Sequence, residues 1–231
     1  MEKINFIIGI ILISLLAVWA AWSMINYRQI KRMLCIGKRR TLINDYIQTI
    51  AGLIVFATLA IIACGTSIFT VPDSYFLGNS AAIYKIIIYV AVAVIVAYQI
   101  ISSYILSKHN DKIPKNISYF LPLTFNEKLI FVFVCLFAGF CEELVFRGFA
   151  LIFMAQFGIN IWLAFAVSAL AFGLMHLYQG ISGLIISFFT GILLAGLFAV
   201  SGNILLPIII HIVIDICAVI IRNQDTPQVN G

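Results

Sequence analysis

The sequence predicts an all-α protein: a polytopic transmembrane helix bundle of about seven spans. Three observations carry this expectation. Hydrophobic residues fill 63% of the 231 positions and charged residues only 10%, with a mean hydropathy of +1.12, far outside the composition of soluble globular domains. Several runs reach the roughly 20 apolar residues that a helix needs to cross a bilayer. No run shows the two-residue alternation of a barrel strand. No Pro-, Gly- or Ser-rich linker sets off a separate soluble domain.

The first span lies near residues 4–25, too long for a signal-peptide core and followed by many bases, so it reads as a retained helix. A loop from Asn26 to Tyr46 then holds Arg28, Lys31, Arg32, Lys38, Arg39 and Arg40. The second and third spans lie near 47–69 and 83–106, and the loop after them holds Lys108, Lys112 and Lys115. Such loops mark the cytoplasmic side. The intervening "VPDSYFLGNS", "FGIN" and "SGN" contain no lysine or arginine, which gives seven crossings in a cell membrane with the N-terminus outside and the C-terminus cytoplasmic. The net charge of +5 is therefore a topology signal, and no nucleic-acid partner is implied.

The remaining spans lie near 128–156, 160–178, 181–201 and 203–221, with Lys128 and Arg222 as interface anchors. Gly148 in the fourth and Pro207 in the seventh are places to bend or break. The sixth carries Gly183, Ser187, Gly191, Ala195 and Ala199 at four-residue steps, a strip of small side chains along one face that permits close helix packing. Five cysteines show no disulfide spacing and read as small buried hydrophobes. Cys141, in apolar surroundings, reads as an inert thiol. No internal repeat suggests a carrier of inverted halves.

Glu142, Glu143, Arg147 and Asp215 fall deep in these spans, where each charge costs roughly 2.5 to 3.5 kcal/mol. They must be paired or hydrated. Glu143 and Arg147 stand four apart, acid first, and so share a helix face as an ion pair with a structural role. Glu142 is rotated about 100° away, free for other work. Of three histidines, His109 is in a loop, while His176 and His211 lie in apolar spans. His211 and Asp215 are four apart, so the aspartate can orient the ring, and Phe172 stands in the same relation to His176. One glutamate and two histidines meeting in a dry cavity can bind and deprotonate a water, with Glu142 as general base or with a zinc ion held by Glu142, His176 and His211.

"EELVFR" (Glu142 to Arg147), "FGLMH" (Phe172 to His176) and "HIVID" (His211 to Asp215) together resemble the three motifs of the CPBP family: Glu-Glu-x-x-x-Arg, Phe-x-x-x-His and His-x-x-x-Asn/Asp. These are intramembrane proteases related to CAAX prenyl endopeptidases and to bacteriocin-processing and immunity proteins. The resemblance covers roughly residues 125–220, dividing the chain into N-terminal membrane helices (1–124) and a protease-like core (125–222). It implies an intramembrane endopeptidase, of bacterial source, acting on a membrane-bound peptide or protein beside the lipid bilayer. Glu142 would activate water with help from His176, His211 and Asp215 would stabilise the oxyanion, and Glu143, Arg147 and Phe172 would support the site. Cofactor use stays open between none and a divalent metal such as zinc. Asp215 replaces the commoner asparagine, so it is protonated, paired with His211 or a metal ligand. The alternative is a catalytically silent immunity or membrane-binding protein of the same fold. Straight spans would leave Glu142 at mid-membrane and His176 near the cytoplasmic end, so the fourth helix is expected to tilt or break, at Gly148.

Overall fold

The computed structural model describes residues 3–36, 38, 40–77, 82–108 and 120–220. Arg39, His109, Lys112, Lys115 and Arg222, which the sequence places in loops or at an interface, lie outside the described residues. The elements in order are α1 (Lys3–Cys35), α2 (Arg40–Cys64), two short 3₁₀ turns (Gly65–Phe69 and Asp73–Tyr75) and α3 (Ala82–Lys108). There follow α4 (Phe125–Glu143), a π-helical stretch (Leu144–Phe149), α5 (Ala150–Gln156), α6 (Ile161–Met175), a 3₁₀ turn (Leu177–Gln179), α7 (Ile181–Ser201) and α8 (Leu205–Ile220). The polytopic helical bundle expected from composition is the observed architecture.

Five rods are long and apolar enough to cross a membrane, the stretch Phe125–Gln156 counting as one. The two other spans expected from hydropathy are shorter helices. α6 has 15 residues and α8 has 16, which at 1.5 Å per residue is about 22 to 24 Å against a hydrocarbon core of about 30 Å. Positive-φ glycines cap the helix between them, α7: Gly180 at φ 95° at its start and Gly202 at φ 81° at its end. Such angles suit only glycine.

A second difference concerns the basic connection. The loop expected over 26–46 is mostly helix, because α1 continues to Cys35 and α2 begins at Arg40. Hydropathy marks where apolar side chains stop, not where backbone hydrogen bonding stops, and lysine and arginine are good helix formers. Asn26 Nδ2 donates to Asp45 Oδ1 at 3.1 Å and ties the two extensions together.

Small residues set the helix spacings that matter for the site. A side chain at Gly191 would meet Cα and Cβ of Ala169 at 3.1 Å, and one at Gly173 would meet the Leu184 carbonyl at 2.9 Å, so α6 and α7 pack almost backbone to backbone. Gly139 lets α4 approach α8, since a Cβ there would lie 3.1 Å from the Ile212 nitrogen. A Cβ at Gly148 would lie 2.8 Å from the Ile68 carbonyl oxygen. The role of this glycine is close approach as much as bending.

The two ends of the bundle close differently. At the end away from the basic connection, Ile204 N–H donates to the Phe69 carbonyl at 3.1 Å and Leu77 N–H to the Ala199 carbonyl at 3.0 Å. At the other end, Tyr46 donates to the Phe120 carbonyl at 2.6 Å, while the Tyr27 and Phe120 rings stack at 4.7 Å. Helix α4 starts here on a full capping box, with Thr124 Oγ1 accepting from the Glu127 N–H and the Glu127 carboxylate accepting from the Thr124 N–H. Such a box satisfies two otherwise orphaned donors and pins the entry of the helix.

Candidate active site

α4, α6 and α8 each deliver polar side chains to one buried region. The last turn of α4 carries Glu142 and Glu143, and the chain then widens into the π-helical stretch that holds Arg147. π-Bulges of this kind leave main-chain carbonyls short of partners and recur at functional sites. Here Ser168 of α6 donates to the Phe146 carbonyl at 2.6 Å. The break expected near Gly148 is thus a π-bulge spanning 144–149 that starts directly after the paired acids.

The two neighbouring glutamates have different surroundings. Glu143 is fully buried: Arg147 Nη1 lies 2.8 Å from its Oε1, and His211 Nδ1 donates to the same oxygen at 2.8 Å. Although Nη1 is this close, it is not aimed for a good hydrogen bond, so charge dominates that contact. Arg147 also reaches the Gly191 carbonyl at 3.5 Å and lies 4.5 Å from the centre of the Phe172 ring, a cation–π contact that gains strength when desolvated. Glu142, by contrast, keeps 19% of its side chain accessible, faces the cavity, and its Oε2 has no hydrogen-bond partner.

The histidines are oriented by their Nδ1 atoms. His176 Nδ1–H donates to the Phe172 carbonyl at 2.9 Å, which leaves its Nε2 with a lone pair when the ring is neutral. His211 Nε2 lies 3.7 Å from Glu142 Oε2 and 3.6 Å from Asp215 Oδ2, beyond hydrogen-bond length but within reach of a bridging hydroxyl group. Phe172 packs between the two imidazoles, 4.7 Å from His176 and 5.6 Å from His211. Glu142, His176, His211 and Asp215 all line a cavity of about 320 Å³, together with Tyr178 and Thr190.

All four candidate catalytic residues and the three supporting ones are therefore gathered within one region. Imidazoles with anchored Nδ1 atoms and nearby carboxylates are donor types that zinc accepts. Among the described residues, however, no group of three or more such side chains is close enough to hold an ion. Glu142, His176 and His211 do not form a ligand set in this arrangement.

Residues 124–217 match the family model of the type II CAAX prenyl endopeptidase Rce1-like proteins. The matched segment covers less than half of the 231 residues. No curated protein and no solved structure matches the chain. The matched stretch contains α4, the π-bulge, α6, α7 and the part of α8 that carries His211 and Asp215.

Several side chains of the region escaped sequence reasoning. Ser168 caps the π-bulge from the neighbouring helix, and serine in an apolar run gives no local sign of this. Tyr178 stacks on His176 at 6.2 Å and accepts from Gln179 Nε2 at 3.0 Å. Helices outside the matched segment also contribute, because Trp19, Asn26 and Tyr27 of α1 and Asp45 of α2 line a second cavity of about 200 Å³ that shares Glu142, His176 and Tyr178 with the first.

Proposed function

We propose that the protein is an intramembrane endopeptidase that hydrolyses a peptide bond of a membrane-associated peptide or protein by a water activated at Glu142. The observation that carries this reading is the contrast between adjacent acids. Glu143 is held through Oε1 by Arg147 and His211 and is fully buried, whereas Glu142 keeps 19% of its side chain accessible and lines a cavity beside both histidines. A carboxylate in that position is a general base waiting for a proton donor.

In the proposed cycle Glu142 takes a proton from water while the oxygen attacks the scissile carbonyl carbon. The lone pair on His176 Nε2 accepts from the water's other proton and orients it. The developing oxyanion is met by His211 Nε2–H, which requires that ring to carry protons on both nitrogens. Glu143 and Asp215 supply the countercharge for that imidazolium, and this pairing is the role we assign to Asp215. Collapse of the tetrahedral intermediate breaks the C–N bond, and Glu142 returns its proton to the leaving amine. The bulge-bound Arg147 fixes Glu143, so the ion pair acts through His211 and does not touch substrate. The cytoplasmic side, inferred from the basic α1–α2 connection, is the side on which the shared cavities lie.

The test is hydrolysis of membrane-anchored reporter peptides by purified protein in detergent or nanodiscs. Glu142→Gln is expected to abolish cleavage while the thermal unfolding profile stays that of the parent. Undiminished turnover in that variant would refute the reading in favour of a silent binding or immunity protein.

A further inference from the structure

The second cavity, of about 200 Å³, borders Glu142 and His176 and is lined by residues of α1 and α2 together with residues of the matched segment. Its wall is aromatic: Trp19, Trp22, Tyr27, Phe120 and Tyr178 all contribute to it. Among the described residues the charged side chains that line it are acids, Asp45 and Glu142, and no lysine or arginine does so. The many bases of the α1–α2 connection thus stay outside the lining.

Asp45 is held for this position. Asn26 Nδ2 donates to its Oδ1 at 3.1 Å, which orients the carboxylate from the neighbouring helix, and among the described residues no lysine or arginine pairs with it. Tyr178 reports the same local field. Burial pushes its hydroxyl up to about 12 against the hydrogen bond from Gln179, and the carboxylates of Glu142, Asp45 and Asp215 add to the rise. Asp45 and Glu142 border the second cavity, Glu142 and Asp215 the first, and Tyr178 lines both. A carboxylate set among π-faces is the chemistry that binds an ammonium or guanidinium group, since both the charge and the ring quadrupoles attract it. The same field repels a carboxylate-bearing segment.

We propose that this cavity selects substrates with a cationic group, a lysine or arginine side chain or a free amine, close to the bond that is cut, with Asp45 as the residue that sets the preference. The inference rests on the peptidase reading and adds a substrate class to it. Asp45 acts on binding, from the side of the cavity remote from His211. It takes no part in proton transfer.

The experiment uses the full-length protein in nanodiscs and acyl-anchored peptides in which one lysine is scanned through an apolar sequence, each with norleucine and glutamate counterparts. Lysine peptides are expected to be cleaved with KM about tenfold lower than their norleucine partners, the size of one desolvated cation–π and carboxylate contact, with kcat alike. Asp45→Asn, which keeps the shape and the Asn26 contact, should bring that ratio near one, and Asp45→Glu should retain it. Equal KM for lysine and norleucine at every position, or a preference for glutamate, would overturn the proposal while leaving the peptidase reading intact. Binding of the same peptides to Glu142→Gln separates the two claims. Should nothing be cleaved yet lysine peptides bind better than norleucine ones, the peptidase reading fails and the cavity assignment stands.

Discussion

Glu143 and His211, 68 positions apart in the chain, meet in a buried hydrogen bond of 2.8 Å. This contact locks the end of α4 to α8 and fixes which nitrogen of His211 faces the cavity. It leaves Glu142 as the acid of the pair that lines the cavity.

Stability and activity should therefore part at these two neighbours. Glu143→Ala leaves Arg147 buried without its countercharge, a loss of about 3 to 5 kcal/mol in comparable buried pairs. A strongly lowered unfolding midpoint in detergent is the expected result. Glu142→Ala, which removes a group with no hydrogen bond at Oε2, should leave that midpoint nearly unchanged. Equal midpoints for the two variants would contradict the division.

Loss of the general base is a kinetic prediction. Removing a positioned acid–base group typically costs about 10² to 10⁴ in rate, so Glu142→Gln should lower kcat by at least that range with KM little altered. His176→Ala should lower kcat as well. Steady-state kinetics on one anchored peptide decide both.

The π-bulge has its own test. Ser168→Ala strips the Phe146 carbonyl of its 2.6 Å donor in a buried place, a penalty of about 1 to 3 kcal/mol. Because the bulge follows directly on Glu142, kcat should fall further than global destabilisation alone explains. Thermal unfolding measured beside turnover at a temperature where the variant is fully folded separates the two effects.

Gly148→Ala should be poorly tolerated. A Cβ there would sit 2.8 Å from the Ile68 carbonyl and 2.4 Å from its Cγ1, and overpacking of this kind costs about 1 to 3 kcal/mol. The expected outcome is a lowered unfolding midpoint and a reduced yield of folded protein on size-exclusion chromatography. A neutral result would mean that the 3₁₀ turn Gly65–Phe69 shifts freely.

Metal removal completes the set. With no three-ligand group among the described residues, activity is expected to survive chelator treatment and to stay flat on titration with zinc. Loss of activity on chelation, restored by one equivalent of metal, would require Glu142, His176 and His211 to close around an ion, and the mechanism to be rewritten.

The amino-acid sequence alone determined the helical membrane class, because burying backbone in lipid leaves few options once apolar runs reach the needed length. It also determined which side chains are out of place there: Glu142, Glu143, Arg147, His176, His211 and Asp215 were visible as costly exceptions in an oily chain. Partners four apart, Glu143 with Arg147 and Phe172 with His176, follow from helix periodicity and were legible for that reason. Helix ends were less so, since α1 outlasts its apolar run by ten residues while α6 ends at Met175, just before a 3₁₀ turn.

Only the tertiary structure decided which acid meets His211 Nδ1 and which lines the cavity. Spacing paired His211 with Asp215, yet the fold gives its Nδ1 to Glu143, because Gly139 lets α4 and α8 approach closely enough for a side chain to cross. Nor does local pattern say that Ser168 completes the bulge, or that Asp45, remote from every motif, borders the same cavity as Glu142. Periodicity reports what lies along one helix. What two helices present to each other depends on their separation and rotation, which small residues scattered over the whole bundle set jointly.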